Sequence, residues 1–131
     1  MKKLIIINGT MGVGKSAVCS QLLKILTPGV WLDGDWCWNM NPFVVSDENK
    51  AMVMNNISCL LQAFLKNTGY EYVIFCWVIH QETIFAQILE NLQDYDFELY
   101  KISLICSEEA LATRLQKDVE AGIRNQDIIV R

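Results

Sequence analysis

Eight residues near the start of the chain, Gly9-Thr10-Met11-Gly12-Val13-Gly14-Lys15-Ser16, combine types and spacing that suit them to hold a polyphosphate. They satisfy the phosphate-loop pattern G-x-x-x-x-G-K-[ST] at every specified position. A polyphosphate has to be wrapped by backbone N–H groups, and Gly9, Gly12 and Gly14 let the chain come close in conformations that other residues avoid. Met11, Val13 and Ala17 lie in or beside that wrap and are expected to bind with it. Lys15 supplies a mobile cation for the β- and γ-phosphates, and Ser16 a hydroxyl for Mg²⁺. A helix opening at the end of the loop would turn its unpaired N–H groups and its dipole toward the same anion.

The flanking sequence provides that setting. Lys3-Leu4-Ile5-Ile6-Ile7-Asn8 reads as a short buried strand. From Ser16 to Leu26, Val18, Leu22, Ile25 and Leu26 recur at helical spacing, and Thr27-Pro28-Gly29 stops the run.

Further along, Val30-Trp31-Leu32-Asp33 reads as a second strand, and Gly34 to Ser46 as a loop. A long helix is expected to follow, capped by Ser46 or Asp47, with Val53, Ile57, Leu60, Leu61, Phe64 and Leu65 on one apolar stripe. Tyr72 to Ile79 is the most hydrophobic run and reads as a central strand. Glu82 to Gln93 reads as a helix with Ile84, Phe85, Ile88, Leu89 and Leu92 inward, and Phe97 to Ile105 as a fourth strand. Ser107 then caps a further expected helix that runs to about Ala121.

Strands alternating with helices, most strands solidly apolar, point to an α/β fold, a three-layer sandwich around a parallel sheet covered on both faces. Ligands of such sheets gather at the carboxyl ends of the strands, onto which the loops after the first three strands open.

Bulk properties narrow the function classes. A chain of 131 residues is sized for one domain spanning 1–131. With 52% hydrophobic residues and a mean hydropathy of +0.21 it is not disordered. A net charge of −4 and a pI near 4.9 argue against a general nucleic-acid or membrane-surface binder. Five scattered cysteines without a C-x-x-C pair fit reduced, mostly buried thiols in a cytoplasmic protein.

A second constellation, Asp33-Gly34-Asp35, follows the second strand. Asp33 can hold Mg²⁺ through water, and Asp35, two residues on and facing the same side, can take a proton from an acceptor hydroxyl. Gly34 is read as permitting a sharp turn between them. The competing explanation is an ordinary surface turn rich in Asp and Gly.

The loop, the Asp33-Gly34-Asp35 triplet and the late arginines Arg114 and Arg124 together resemble the small P-loop kinases of the shikimate- and gluconate-kinase-like group and their antibiotic-phosphorylating relatives. The resemblance implies a P-loop sheet of order 2-3-1-4-5, ATP as donor and Mg²⁺ as its metal. It implies metal assistance by Asp33, acceptor activation by Asp35, and closure of Arg114 and Arg124 on the phosphates from a mobile lid.

Two features depart from that pattern. An acid expected at the end of the third strand is replaced by Phe75-Cys76-Trp77-Val78. The sequence also stops at Ile128-Ile129-Val130-Arg131, as if in mid-helix, so the sheet order is expected as 2-3-1-4 without its fifth strand.

Trp36, Trp38, Phe43, Trp77 and the sole histidine, His80, are pocket candidates, with Trp77 and the Met52–Met54 pair favoured as core. The function expected is ATP-dependent transfer of a phosphoryl group to a hydroxyl of a small molecule, by a monomer or weak dimer. A non-catalytic nucleotide-binding module and a nucleoside or nucleotide kinase are the alternatives. No arginine occurs between Ser16 and Asn91, which speaks against an anionic acceptor phosphate. A GTPase would need N-K-x-D, and an AAA-type or transport ATPase an aliphatic strand ending in Asp-Glu; neither motif is present.

Overall fold

The computed structural model describes residues 1–9, 14–79 and 82–104. Four strands form one parallel sheet: β1 (Lys2–Gly9), β2 (Gly29–Asp33), β3 (Tyr72–Trp77) and β4 (Phe97–Leu104), in the order β2-β3-β1-β4. The order expected from the sequence is the one observed. Three α-helices connect them: α1 (Lys15–Ile25), α2 (Asp47–Lys66) and α3 (Glu82–Asn91).

Parallel pairing forces each connection to cross over a face of the sheet, and alternation of side chains along the strands gives each face its own core. Leu4, Ile6, Leu32, Val73 and Phe75 meet Val53, Ile57 and Leu61 of α2 and Phe85 and Ile88 of α3. On the opposite face Ile5, Ile7, Ile74 and Cys76 meet Cys19, Val18 and Leu22 of α1. The helices therefore lie on both sides of the sheet, as three layers.

Three details differ from the sequence reading. Ile25, although in phase with Val18 and Leu22, is exposed at the last turn of α1, while Leu26 just past the helix reaches the core. Leu60, assigned to the apolar stripe of α2, is also exposed, because the core takes Ile57 and Leu61 one turn apart. Leu99, Tyr100 and Ile102 of β4 are exposed, so among the described residues burial of both faces holds for β1 and β3 but not for β4.

β3 is also shorter than its apolar run. It ends at Trp77 because Val78 and Ile79 leave the sheet, and Asn8 holds them: its side-chain amide donates to the Ile79 carbonyl at 3.2 Å and accepts from the Ile79 N–H at 2.8 Å. Such a two-bond clamp uses the side chain at the end of one strand to fix the chain leaving its neighbour.

Candidate functional site: an open helix terminus beside a split carboxylate pair

Among the described residues, the carboxyl edge of the sheet carries Gly9, Asp33 and Trp77 at the ends of β1, β2 and β3. β1 delivers Gly9 there, buried, and the chain returns at Gly14 with φ 88° and ψ 28°, a left-handed conformation that glycine adopts without steric cost. Lys15 and Ser16 then open α1, with Val18 N–H donating to the Gly14 carbonyl at 3.0 Å. Lys15 and Ala17 are half-buried and Ser16 is exposed. Met11, Gly12 and Val13 lie outside the described residues.

The two longer helices begin in opposite ways. At α2 the Ser46 hydroxyl accepts from the Asn49 N–H at 3.1 Å, and Asp47 and Glu48 occupy the first turn. At α1 no side chain caps the N-terminus and no acid stands in the first turn. Among the described residues no side chain satisfies the first-turn N–H groups of α1, and with Lys15 beside them they suit an anion.

Across β3, Asp33 ends β2 only 8% exposed. Its Oδ1 accepts from the Asp35 N–H at 2.9 Å, capping a one-turn 3₁₀ helix, Gly34–Trp38, where the sequence suggested an irregular loop. Burial pushes the Asp33 carboxyl above its ordinary value. The Asp35 amide opposes this, the Asp35 charge adds to it, and the Cys76 thiol and the Lys15 ammonium both pull it down. Lys15 at the start of α1, which follows β1, thus acts on a carboxylate at the end of β2, although β1 and β2 are separated by β3.

The two carboxylates, expected from the sequence to face one side, differ in exposure. Because a 3₁₀ turn rather than an extended chain follows Asp33, Asp33 is buried while Asp35 is exposed on the wall of a cavity. Gly34 is needed for a reason other than turn geometry: its φ is not positive, but a Cβ there would lie 2.5 Å from Cγ of Trp77. Trp77, standing where an acid was sought, instead lays its indole against the turn that bears the carboxylates.

That cavity measures about 1090 Å³. The turn supplies Asp35, Trp36 and Trp38, and the following loop Asn39 and Phe43. Lys50 and Met54 come from one face of α2, Trp77 and Val78 from the end of β3, and Ile84 and Gln87 from α3. Trp36, Trp38 and Phe43 are therefore where the sequence placed them. Trp77 touches the core but also faces the cavity, Met54 lines it, and Met52 is exposed, so neither methionine is simple core filler. Lys50, Asn39 and Gln87 were missed. For Lys50 and Gln87 the only signal was helical spacing (Lys50 and Met54 are one turn apart), Asn39 in its loop had none, and nothing in the sequence says which face of α2 looks into the site.

Ala17 borders a second, shallower hollow of about 620 Å³ along α1 with Val18 and Gln21. Cys19 and Cys76 are buried, Cys37 half-buried and Cys59 exposed, all as free thiols. Arg114, Arg124, His80 and Cys106 lie outside the described residues. Among the described residues no group of three or more His, Cys, Asp or Glu is gathered as a metal site. For Mg²⁺, Ser16 and Asp33 are an adequate protein contribution only if nucleotide phosphates and water complete the shell, which is how this ion is usually bound. Among the described residues no helix is long and apolar enough to cross a membrane.

A family model described as an AAA domain matches residues 5–128. The chain belongs to this family. Membership overturns the setting-aside of AAA-type domains for want of a strand ending in Asp-Glu, although β3 does lack that acid. No curated protein matches the chain.

Among solved structures, the crystal structure of APE1195 is 18% identical with a TM-score of 0.68, covering 96% of this chain and 78% of its own. A chain in the structure of the Pnkp1/Rnl/Hen1 RNA repair complex is 20% identical with a TM-score of 0.68, covering 94% and 39%. One from the PezAT chromosomal toxin–antitoxin system of Streptococcus pneumoniae is 13% identical with a TM-score of 0.62, covering 98% and 59%. This chain thus spans less than two thirds of each of the last two. These likenesses are of fold, and together with the family match they agree with a parallel α/β sheet of P-loop NTPase type in the order β2-β3-β1-β4.

Proposed function

We propose that the protein is an ATP-dependent phosphotransferase that moves the γ-phosphoryl group to a hydroxyl of a small molecule. The observation that carries this reading is the position of Asp35: an exposed carboxylate on a ligand-sized cavity, one turn from a buried carboxylate that feels Lys15. The open terminus of α1 and Lys15 hold the phosphates, with Gly9, Gly12 and Gly14 allowing the main chain to approach. Ser16 and Asp33 hold Mg²⁺, which when bound screens charge on the transferring group.

Asp35 accepts the proton of the acceptor hydroxyl as that oxygen bonds to phosphorus, while the bond from phosphorus to the ADP oxygen breaks. Arg114 and Arg124 are assigned the closing role on the phosphates, and the resemblance to shikimate- and gluconate-kinase-like proteins extends to the donor and to a cytoplasmic setting.

Asp35→Asn tests the reading. Loss of a general base is expected to lower turnover by about 10²–10⁴-fold, with Mg–ATP affinity kept, measured by coupled ADP release and by calorimetry. Undiminished turnover would remove Asp35 from the mechanism. A non-catalytic nucleotide-binding module is the second reading, favoured by the replacement of a third-strand acid with Trp77; it predicts Mg–ATP binding by the parent with no transfer to any acceptor.

A further inference from the structure

The composition of the cavity wall bears on what the acceptor is, an inference that rests on the phosphotransfer reading. For a space of about 1090 Å³ the described wall offers one carboxylate, one ammonium and two amides; the remainder is indole, phenyl, thioether and aliphatic surface. Three of the four tryptophans in the chain face it. A polyol or sugar acid carries a hydroxyl on nearly every carbon, and each one desolvated against such a wall without a partner weakens binding.

A flat conjugated ring has the opposite requirement. Trp36 meets Trp31 at 5.0 Å and 55°, and Trp38 meets Phe43 at 5.7 Å and 55°, so both pairs are tilted rather than stacked. Trp36 is 53% exposed and Phe43 63% exposed, which leaves apolar area for a ligand to cover. Asp35 sits on the same wall, so a ring held there presents a pendant hydroxyl to the carboxylate.

We propose that the acceptor is an alcohol built on a flat aromatic or heteroaromatic body, of which a nucleoside is one example, and not a polyol or sugar acid. Lys50, which makes no ion pair among the described residues, offers one cationic contact for a carbonyl or ring nitrogen at the rim.

The test titrates the full chain by calorimetry with adenosine, thymidine and 2-phenylethanol on one side and sorbitol and gluconate on the other. Each titration is run with a non-hydrolysable Mg–ATP analogue present, and product formation from Mg–ATP is followed separately by mass spectrometry. Saturable binding of at least one aromatic alcohol is expected, with no binding of sorbitol or gluconate at millimolar concentration. Trp38→Ala is expected to weaken that binding by about tenfold, and Phe43→Ala by a few-fold at an unchanged melting temperature, Phe43 being too exposed to matter for folding.

Binding or phosphorylation of sorbitol or gluconate overturns the acceptor class while leaving phosphotransfer standing. Failure of all three aromatic alcohols to bind overturns it as well. Aromatic binding without any phosphorylated product supports the ligand class and rejects the phosphotransfer reading instead.

Discussion

Gly34→Ala separates two explanations of the Asp33-Gly34-Asp35 turn. If glycine were required for its backbone freedom, any Cβ would strain the turn whatever its neighbours. The structure locates the constraint elsewhere: a Cβ at Gly34 would lie 2.5 Å from Cγ and 2.7 Å from Cδ1 and Cδ2 of Trp77, with φ outside the left-handed region. Ordinary contact needs the indole to retreat by about 0.9 Å, from 2.5 to 3.4 Å. It cannot do so freely, being half-buried and packed on Phe75 with ring centroids 6.2 Å apart. Overpacking of this kind costs about 1–3 kcal/mol, and Ala returns about 0.4–1 kcal/mol by restricting the unfolded chain. The net loss of about 0–2.6 kcal/mol corresponds to a fall of up to roughly 10 °C in Tm for a domain of this size.

Thermal unfolding followed by circular dichroism is the assay, repeated in a Trp77→Leu background. Removing the indole should relieve the clash, so Gly34→Ala costs less there, a coupling of about 0.5–2 kcal/mol. The same change in Tm in both backgrounds would refute close approach as the reason for glycine.

Other perturbations test the remaining parts of the site. Asp33→Asn keeps an oxygen for the Asp35 N–H and removes the ionisable group. Because burial raises the folded carboxyl above its unfolded value, the native state still holds a proton that the unfolded chain has released, and parent stability falls as pH rises through that window. The variant should therefore match the parent in Tm below the usual carboxylate range and exceed it at pH 7; parallel Tm profiles would count against the burial effect. Asn8→Ala removes both bonds to Ile79 and should destabilise by about 1–3 kcal/mol in urea unfolding with the m-value unchanged. Lys15→Ala should weaken Mg–ATP binding by about ten- to hundred-fold, the equivalent of one charge-assisted contact, as read by calorimetry. Parent-like affinity would dismiss the anion site at α1.

Much of this molecule was legible without coordinates because the signals are local. A glycine loop between an apolar strand and a helix specifies its own conformation within a few residues, and β1, α1, β2, α2, α3 and β4 lie within about two residues of where periodicity put them. Ser46 was one of two expected caps for the same reason: a hydroxyl three residues before a free amide is a short-range relation.

What the tertiary structure decided depends on neighbours that sequence distance hides. Whether Trp77 serves the core or a cavity turns on the face that α2 and α3 present to it. Whether Gly34 is a hinge or a clearance turns on an indole from another strand, and how Asp33 titrates turns first on its burial and then on Asp35, on Cys76 of β3 and on Lys15 of α1. Spacing along the chain fixed which groups were available for chemistry. Only packing across the sheet could set which carboxylate is dry, which is wet, and what kind of surface the wet one faces, because desolvation and steric contact are properties of surroundings rather than of a residue type.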